Sequence, residues 1–438
     1  MDERTCDHPL AYARTARGMT RVDLAQQIRT AAQQRGLRCC VDKQRIRKWE
    51  VDGVTPDRDS QTYIAEAFGI PVSVVDTGIW PQWLHGTSAG VTPLGPHSTV
   101  PALREALSSA MDRRIFLSVS GAALTALAAS WATGDTRALT EAHTGKAVDE
   151  EFISLLERAS AELNSLPTEK RQHVPALLHA HLTTVTELLE HGRYARPVGL
   201  RLHALAASLA QTVGWHRFDI ADHPAAAKLW VAGLHSAHAG GDRDMGAALL
   251  GDLAYQAAWR KDHTTAAGIL EHALTRTEHP AAQSLLHLRL ARTLAAQGER
   301  RAVLRSLNAA ERLLDTASGR ERPAWCAWLS EADLAVDSGQ ALLDLGDTAR
   351  AHGLIGEGQA LLPTARDKTR GVFFAYRAES HLNLGEPELA AAAASESLQL
   401  ARRIGAPRCV QLVQDLVPRF RGYRDAEGVP ELLHLAAS

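Results

Sequence analysis

With 438 residues the chain is long enough, at roughly 100–200 residues per domain, for two to four domains with cores of their own. Apolar residues make up 45% and charged residues 22%, but aromatics only 5%; an Ala- and Leu-rich composition of this kind favours helix and argues against a large all-β architecture. The 48 basic and 50 acidic residues leave a formal charge of −2, which excludes a chain-wide polycation and leaves room only for a local basic patch.

The first 85 residues hold short helical patterns broken by Gly and Pro. Residues 10–17 form a short helix that stops at Gly18. Thr20 is placed to cap a second helix with apolar positions at Val22, Leu24, Ala25 and Ile28, and Gly36 ends it. Residues 28–40 extend that helix and its connection to the next. Asp42 caps a third helix from Lys43 to Val51, with Ile46 and Trp49 on its buried side and Lys43, Gln44, Arg45, Arg47 and Lys48 on the others. Gly53 and Pro56 stop it, and a further helix over residues 61–68 runs into Gly69-Ile70-Pro71. Between Arg29 and Lys48 stand seven basic residues and one acid, Asp42, a local concentration suited to neutralising phosphates. Lys43 and Gln44 occupy the first turn of the third helix. There a lysine can donate to guanine O6 and N7, and a glutamine can pair with adenine N6 and N7, in the major groove.

This order of short helices resembles the helix-turn-helix domain of the phage-repressor-like (XRE) family over residues 10–72. Leu24-Ala25, the run Val41-Asp42-Lys43-Gln44-Arg45-Ile46-Arg47-Lys48-Trp49-Glu50 and the closing Ile64-Ala65-Glu66-Ala67-Phe68-Gly69-Ile70 carry the resemblance. It implies base reading by Lys43, Gln44, Arg47 and Lys48. It also implies phosphate contacts from Arg14, Thr20, Arg21 and Arg45, over a structural core of Leu24, Ala25, Ile46 and Trp49.

Residues 86–145 read as a linker with an apolar connecting helix over 113–132; Gly86, Gly90, Pro93, Gly95, Pro96 and Pro101 punctuate its start. Asp112-Arg113-Arg114-Ile115-Phe116-Leu117 mimics a twin-arginine export signal, but it lies behind a folded domain, where export would be futile. Residues 115–132 are interrupted by Ser118, Ser120, Gly121, Thr125 and Ser130. A buried interdomain helix is therefore expected, with a membrane tether as the alternative.

From residue 146 onward the sequence is nearly continuous amphipathic helix. Breaks at Ala221-Asp222, Lys261-Asp262, Gly298-Glu299, Gly346-Asp347 and Gly385-Glu386 recur at loosely regular intervals. Most are followed by Ala-rich helix that lets two antiparallel helices approach closely, and stacked pairs of this kind build an α-solenoid. The segments Ala341-Leu-Leu-Asp-Leu-Gly346-Asp347-Thr-Ala-Arg-Ala351 and Tyr376-Arg-Ala-Glu-Ser-His-Leu-Asn-Leu-Gly385-Glu386-Pro-Glu-Leu-Ala390 resemble tetratricopeptide repeats. Trp215, Trp230, Trp259, Trp325 and Trp328 are expected to pack between repeats, with one or two lining an inner groove.

Catalytic and metal chemistry finds no foothold. His179 and His181, or His235 and His238, lack partners for a ligand set, so no metal or cofactor is expected. No phosphate-binding loop, dinucleotide fingerprint, nucleophile elbow or His-Glu-x-x-His occurs, and no enzymatic activity is expected. The five cysteines (Cys6, Cys39, Cys40, Cys326 and Cys409) form no C-x-x-C pair, and the amino end carries no apolar signal, which fits a reducing cytoplasm.

The expected fold is all-α: a helix-turn-helix domain over 1–85, a linker over 86–145 and a tetratricopeptide-like solenoid over 146–438. This layout resembles the XRE/tetratricopeptide regulators of high-GC Gram-positive bacteria and, more distantly, the peptide-pheromone receptors of other Gram-positives. The resemblance implies a transcription regulator that binds a double-stranded DNA operator as a homodimer. A peptide, small-molecule or protein effector would occupy the repeat groove. The reading from a different class is an interaction scaffold without specific DNA binding.

Overall fold

In the computed structural model, residues 8–15, 19–68, 98–108, 121–133, 145–165, 174–364 and 366–437 are described, with isolated positions between 72 and 95. Everything regular in them is helical, apart from a two-residue parallel bridge that pairs β1 (Lys146–Ala147) with β2 (Gly192–Arg193). Gly18, the twin-arginine mimic and the Gly- and Pro-rich start of the linker lie largely outside these residues.

The amino-terminal unit consists of α1 (Pro9–Thr15), α2 (Arg21–Gln34), α3 (Lys43–Val51) and α4 (Arg58–Ala67). Each of the last three begins where a side chain can accept a free backbone N–H of its first turn: Thr20 from Asp23, Asp42 from Arg45 and Asp57 from Ser60. The Asp57 cap starts α4 three residues earlier than apolar periodicity alone suggests. Leu10, Leu24, Ala25, Ile28, Ile46, Trp49, Ile64 and Phe68 form one core. Val22, expected among the apolar positions of the second helix, is 55% exposed, because it lies in the first turn and faces away from that core.

Two helices arise from the segment expected to link the domains, and both pack on the repeats. Helix α5 (Thr99–Ser108) lies against α8 (Val174–His191) and α10 (His223–Gly240). Thr99 Oγ1 donates to the His235 carbonyl over 3.2 Å, and Lys228 pairs with Glu105 at 3.6 Å. Helix α6 (Gly121–Thr133) lies against α11 (Arg243–Trp259) and α12 (His263–Leu274). This is the apolar connecting helix, described from Gly121 onward and buried along one side; residues 113–120 lie outside the described residues. No described helix is long and apolar enough to cross a membrane.

The repeat region opens with α7 (Glu150–Ser165) and α8. Five antiparallel hairpins follow among the described residues: α9 (Arg196–Asp219) with α10, α11 with α12, α13 (Pro280–Ala296) with α14 (Arg300–Thr316), α15 (Glu331–Asp344) with α16 (Thr348–Leu361), and α17 (Asp367–Leu384) with α18 (Pro387–Ile404). Helices α19 (Pro407–Phe420) and α20 (Val429–Ala437) cap the array. The first helix of each hairpin also touches the first helix of the next, which produces a solenoid with these helices along its inner side.

One turn repeats in all five hairpins. The N–H of Asp222, Asp262, Glu299, Asp347 and Glu386 returns to the carbonyl five residues earlier, at Arg217, Ala257, Leu294, Leu342 and His381, over 2.9–3.0 Å. The residue before each acid has a positive φ, between 62° and 81°. This is the left-handed closure that satisfies the last carbonyls of a helix, and it explains why the sequence breaks are visible. The connection from α14 to α15 is longer and holds a 3-10 turn at Ala324–Cys326, which accounts for the widest interval between breaks. Two turns use a residue with a side chain, Ala221 at φ 62° and Lys261 at φ 67°. Left-handed backbone costs such residues roughly 1–2 kcal/mol, partly offset by the greater freedom glycine has when unfolded. Lys261→Gly is therefore expected to stabilise the repeat region by up to about 1 kcal/mol, read as a higher midpoint in urea.

Candidate nucleic-acid interface

The third helix has two chemically opposite sides. Ile46 and Trp49 are both 0% exposed, whereas Lys43, Gln44, Arg45, Arg47 and Lys48 are all exposed. The 3.6-residue period produces this split: positions 46, 49 and 50 share one side, and 43, 44, 47 and 48 share the other. Lys43, Arg45, Lys48 and the nearby Arg38 form no ion pair with any described residue. Arg47 meets Asp52 at 3.5 Å with both side chains about half exposed, an ion pair worth only about 0–1 kcal/mol and easily exchanged.

Behind this face, Glu50 organises the unit. Its carboxylate is 0% exposed and accepts from Arg14 Nε at 2.7 Å and from Arg21 Nε at 2.6 Å. Arg14 also donates from Nη1 to the Met19 carbonyl at 2.7 Å. One acid on α3 is thus joined to α1 and to the start of α2. This placement corrects the expectation for Arg14: its side chain is only 9% exposed and serves the buried pair, so it is not offered to a phosphate. Arg21 retains 28% side-chain exposure at the start of α2.

Thr20 is exposed, but its hydroxyl accepts from Asp23 N and donates to the Asp23 carboxylate at 2.7 Å. The hydroxyl and the backbone N–H of Thr20, both donating to it, hold the Asp23 carboxyl below the usual carboxylate range. The α2 N-terminus therefore presents backbone N–H groups beside a fixed negative charge. Of the other basic residues in the run, Arg29 Nη1 donates to the Val41 carbonyl at 2.7 Å and Arg35 pairs with Glu66. They tie down the long connection between α2 and α3. Leu24 and Ala25, at 0% and 1% exposure, lie in the same core as Ile46 and Trp49.

Among the described residues no group of three or more His, Cys, Asp and Glu is placed to hold a metal ion. In the repeat region Trp230 is fully buried, with its Nε1 donating to the Gln211 carbonyl at 3.1 Å. Trp215 and Trp259 are half-buried in an aromatic group with Phe218 and Tyr255, and Trp328 is 42% exposed.

Comparison with known proteins marks off the same amino-terminal unit. Residues 10–80, less than half of the chain, match the family described as SP15 N-terminal domain. No curated protein matches this chain. Among solved structures it is similar to the crystal structure of the APC/C hetero-tetramer Cut9–Hcn1. The two share 14% identity over 87% of this chain and 76% of that chain, with a TM-score of 0.27. A score that low carries no weight, and the arrangement of hairpins rests on the packing described above.

Proposed function

We propose that the protein is a sequence-specific, double-stranded DNA-binding transcription regulator of the cytoplasm, with α3 entering the major groove. The exposed basic side of α3, anchored from behind by Trp49 and Glu50, supports this reading. Lys43, Gln44, Arg47 and Lys48 read base edges, while Arg45, Arg21 and the backbone at Thr20 hold phosphates. Arg14 acts through Glu50 as a positioning residue. The repeat region joins two copies, spaces their α3 helices and takes a peptide, small-molecule or protein effector.

Genomic fragments selected by the intact chain supply the operator for the test. Specific affinity is expected to fall steeply with salt and to exceed affinity for random duplex. Replacing Lys43 and Gln44 together by alanine is expected to erase that preference, at about 1–3 kcal/mol per lost base contact. Arg45→Ala is expected to weaken all sequences alike and to reduce the salt slope by about 1. Equal binding of operator and random duplex by the unaltered chain sinks the proposal. The stacked hairpins would then favour a scaffold that recruits a protein partner without specific DNA binding.

A further inference from the structure

The inner side of the repeat region is bridged from one end to the other. Asp219 closes α9, in the first hairpin, and its carboxylate pairs with Lys368 of α17, which lies 149 residues away in the fifth. The same carboxylate faces Arg408 of α19 at 3.9 Å. Arg408 also donates from Nη1 to Tyr255 Oη at 3.4 Å and places its guanidinium 5.8 Å from the Trp215 ring centre and 5.9 Å from that of Tyr255. Arg289 lies over the same two rings, at 6.0 and 5.5 Å. One layer along, Arg292 of α13 reaches past α15 to Tyr376 of α17, donating to its hydroxyl at 2.8 Å.

Three of these charges sit at the unfavourable end of their own helix. Asp219 is the last residue of α9, where the helix dipole is negative. Lys368 and Arg408 are each the second residue of theirs, where it is positive. Each placement opposes the dipole of its own helix. Each becomes favourable only when the end of α9 meets the starts of α17 and α19, which bring an acid to two positive helix ends. Local rules are broken in three helices, and one tertiary contact resolves all three. Lys368, with 36% of its side chain exposed, keeps its arm of the contact within reach of salt, whereas Asp219 Oδ1 and Arg408 Nε are buried and their arm is shielded.

We infer that Asp219, Lys368 and Arg408 form an ionic latch that holds the inner side of the solenoid closed, covering the Trp215–Tyr255–Arg289 surface until the first hairpin separates from α17 and α19. Cation–aromatic contact by Arg408 adds to the closure. Opening requires no unfolding of any hairpin, because each keeps its own antiparallel partner. This device does not depend on the DNA reading, and its test uses no DNA.

The experiment is small-angle scattering together with hydrogen exchange on the intact chain, across ionic strengths from about 0.05 to 1 M, over which the Debye length shrinks from more than 10 Å to about 3 Å. The radius of gyration is expected to rise with salt, and amide exchange in the first turns of α17 and α19 to quicken about tenfold. Asp219→Asn is expected to show the open values already at low salt. Asp219→Lys combined with Lys368→Asp and Arg408→Glu, which reverses every sign, is expected to move both readings back toward the closed ones, stopping short by what the Arg408 cation–aromatic contact contributed. A radius and exchange pattern that ignore salt in the unaltered chain overturn the latch, whatever the variants do. So does an Asp219→Asn chain, folded by circular dichroism, that keeps the closed values.

Discussion

Glu50→Ala is expected to cost the amino-terminal unit about 3–5 kcal/mol, the usual penalty for removing one partner of a buried charge pair. The carboxylate is fully buried and answers two guanidiniums; without it Arg14, 9% exposed, keeps a positive charge with no counter-ion in a core of Leu10, Trp49 and Ile46. Since a whole domain has only about 5–15 kcal/mol of stability, a loss of this size removes most of what holds α1 to α4 together. Hydrogen exchange reads it directly: amides of α1–α4 should lose protection while those of the repeats keep theirs. The DNA binding proposed above should vanish with the fold, although Glu50 is buried away from the exposed basic side of α3. Glu50→Gln, which keeps the shape and one acceptor oxygen, should fall between the two. A loss below 1 kcal/mol in Glu50→Ala would show that the pair does not organise the unit.

Trp131→Ala is expected to cost about 3–5 kcal/mol as well, by a different route, because it empties a large apolar site. Trp131 is 1% exposed and lies against Gly246 of α11, where an added Cβ would come within 2.4 Å of its indole nitrogen. Arg276 covers the outer side, 5.4 Å from the ring centre, and bonds the Trp131 carbonyl. Without the indole, α6 should detach from α11 and α12 and become cleavable by protease around residues 121–133. Gly246→Ala approaches the same contact from the other side. It should cost about 1–3 kcal/mol by overpacking, with the same new cleavage. If α6 stays protected in both variants, the indole is not what docks it.

The sequence made some of this legible and concealed the rest for a consistent reason. Caps, turns and helix sides are local, so Thr20 and Asp42, the exposed basic residues of α3 and the five hairpin breaks can be read from neighbours a few positions apart. Even Ala221 and Lys261, which carry side chains where glycine is usual, are flagged by the acid that follows them. Contacts between distant residues leave no such mark. Arg14 looks like any exposed cation in a basic region until its partner, 36 residues on, is seen buried beside it. Residues 99–108 and 121–133 look like parts of a connector because their Gly, Pro and Ala content describes the chain itself; it does not reveal the helices, distant in sequence, on which they pack. Asp219, Lys368 and Arg408 each read as misplaced charges at helix ends, and only the curvature of the array brings them together.

The docking of α6 has a further consequence during synthesis. Trp131 is held by Arg276, 145 residues downstream, so its cover is not yet made when the helix leaves the ribosome. At about 5–20 residues per second, that leaves an Ala- and Leu-rich segment bare for roughly seven to thirty seconds on every nascent chain. Such an interval is long enough for a chaperone to find it, or for two chains on one messenger to stick together. The amino-terminal unit, whose core is complete once Leu84 has been made, will already be folded and waiting.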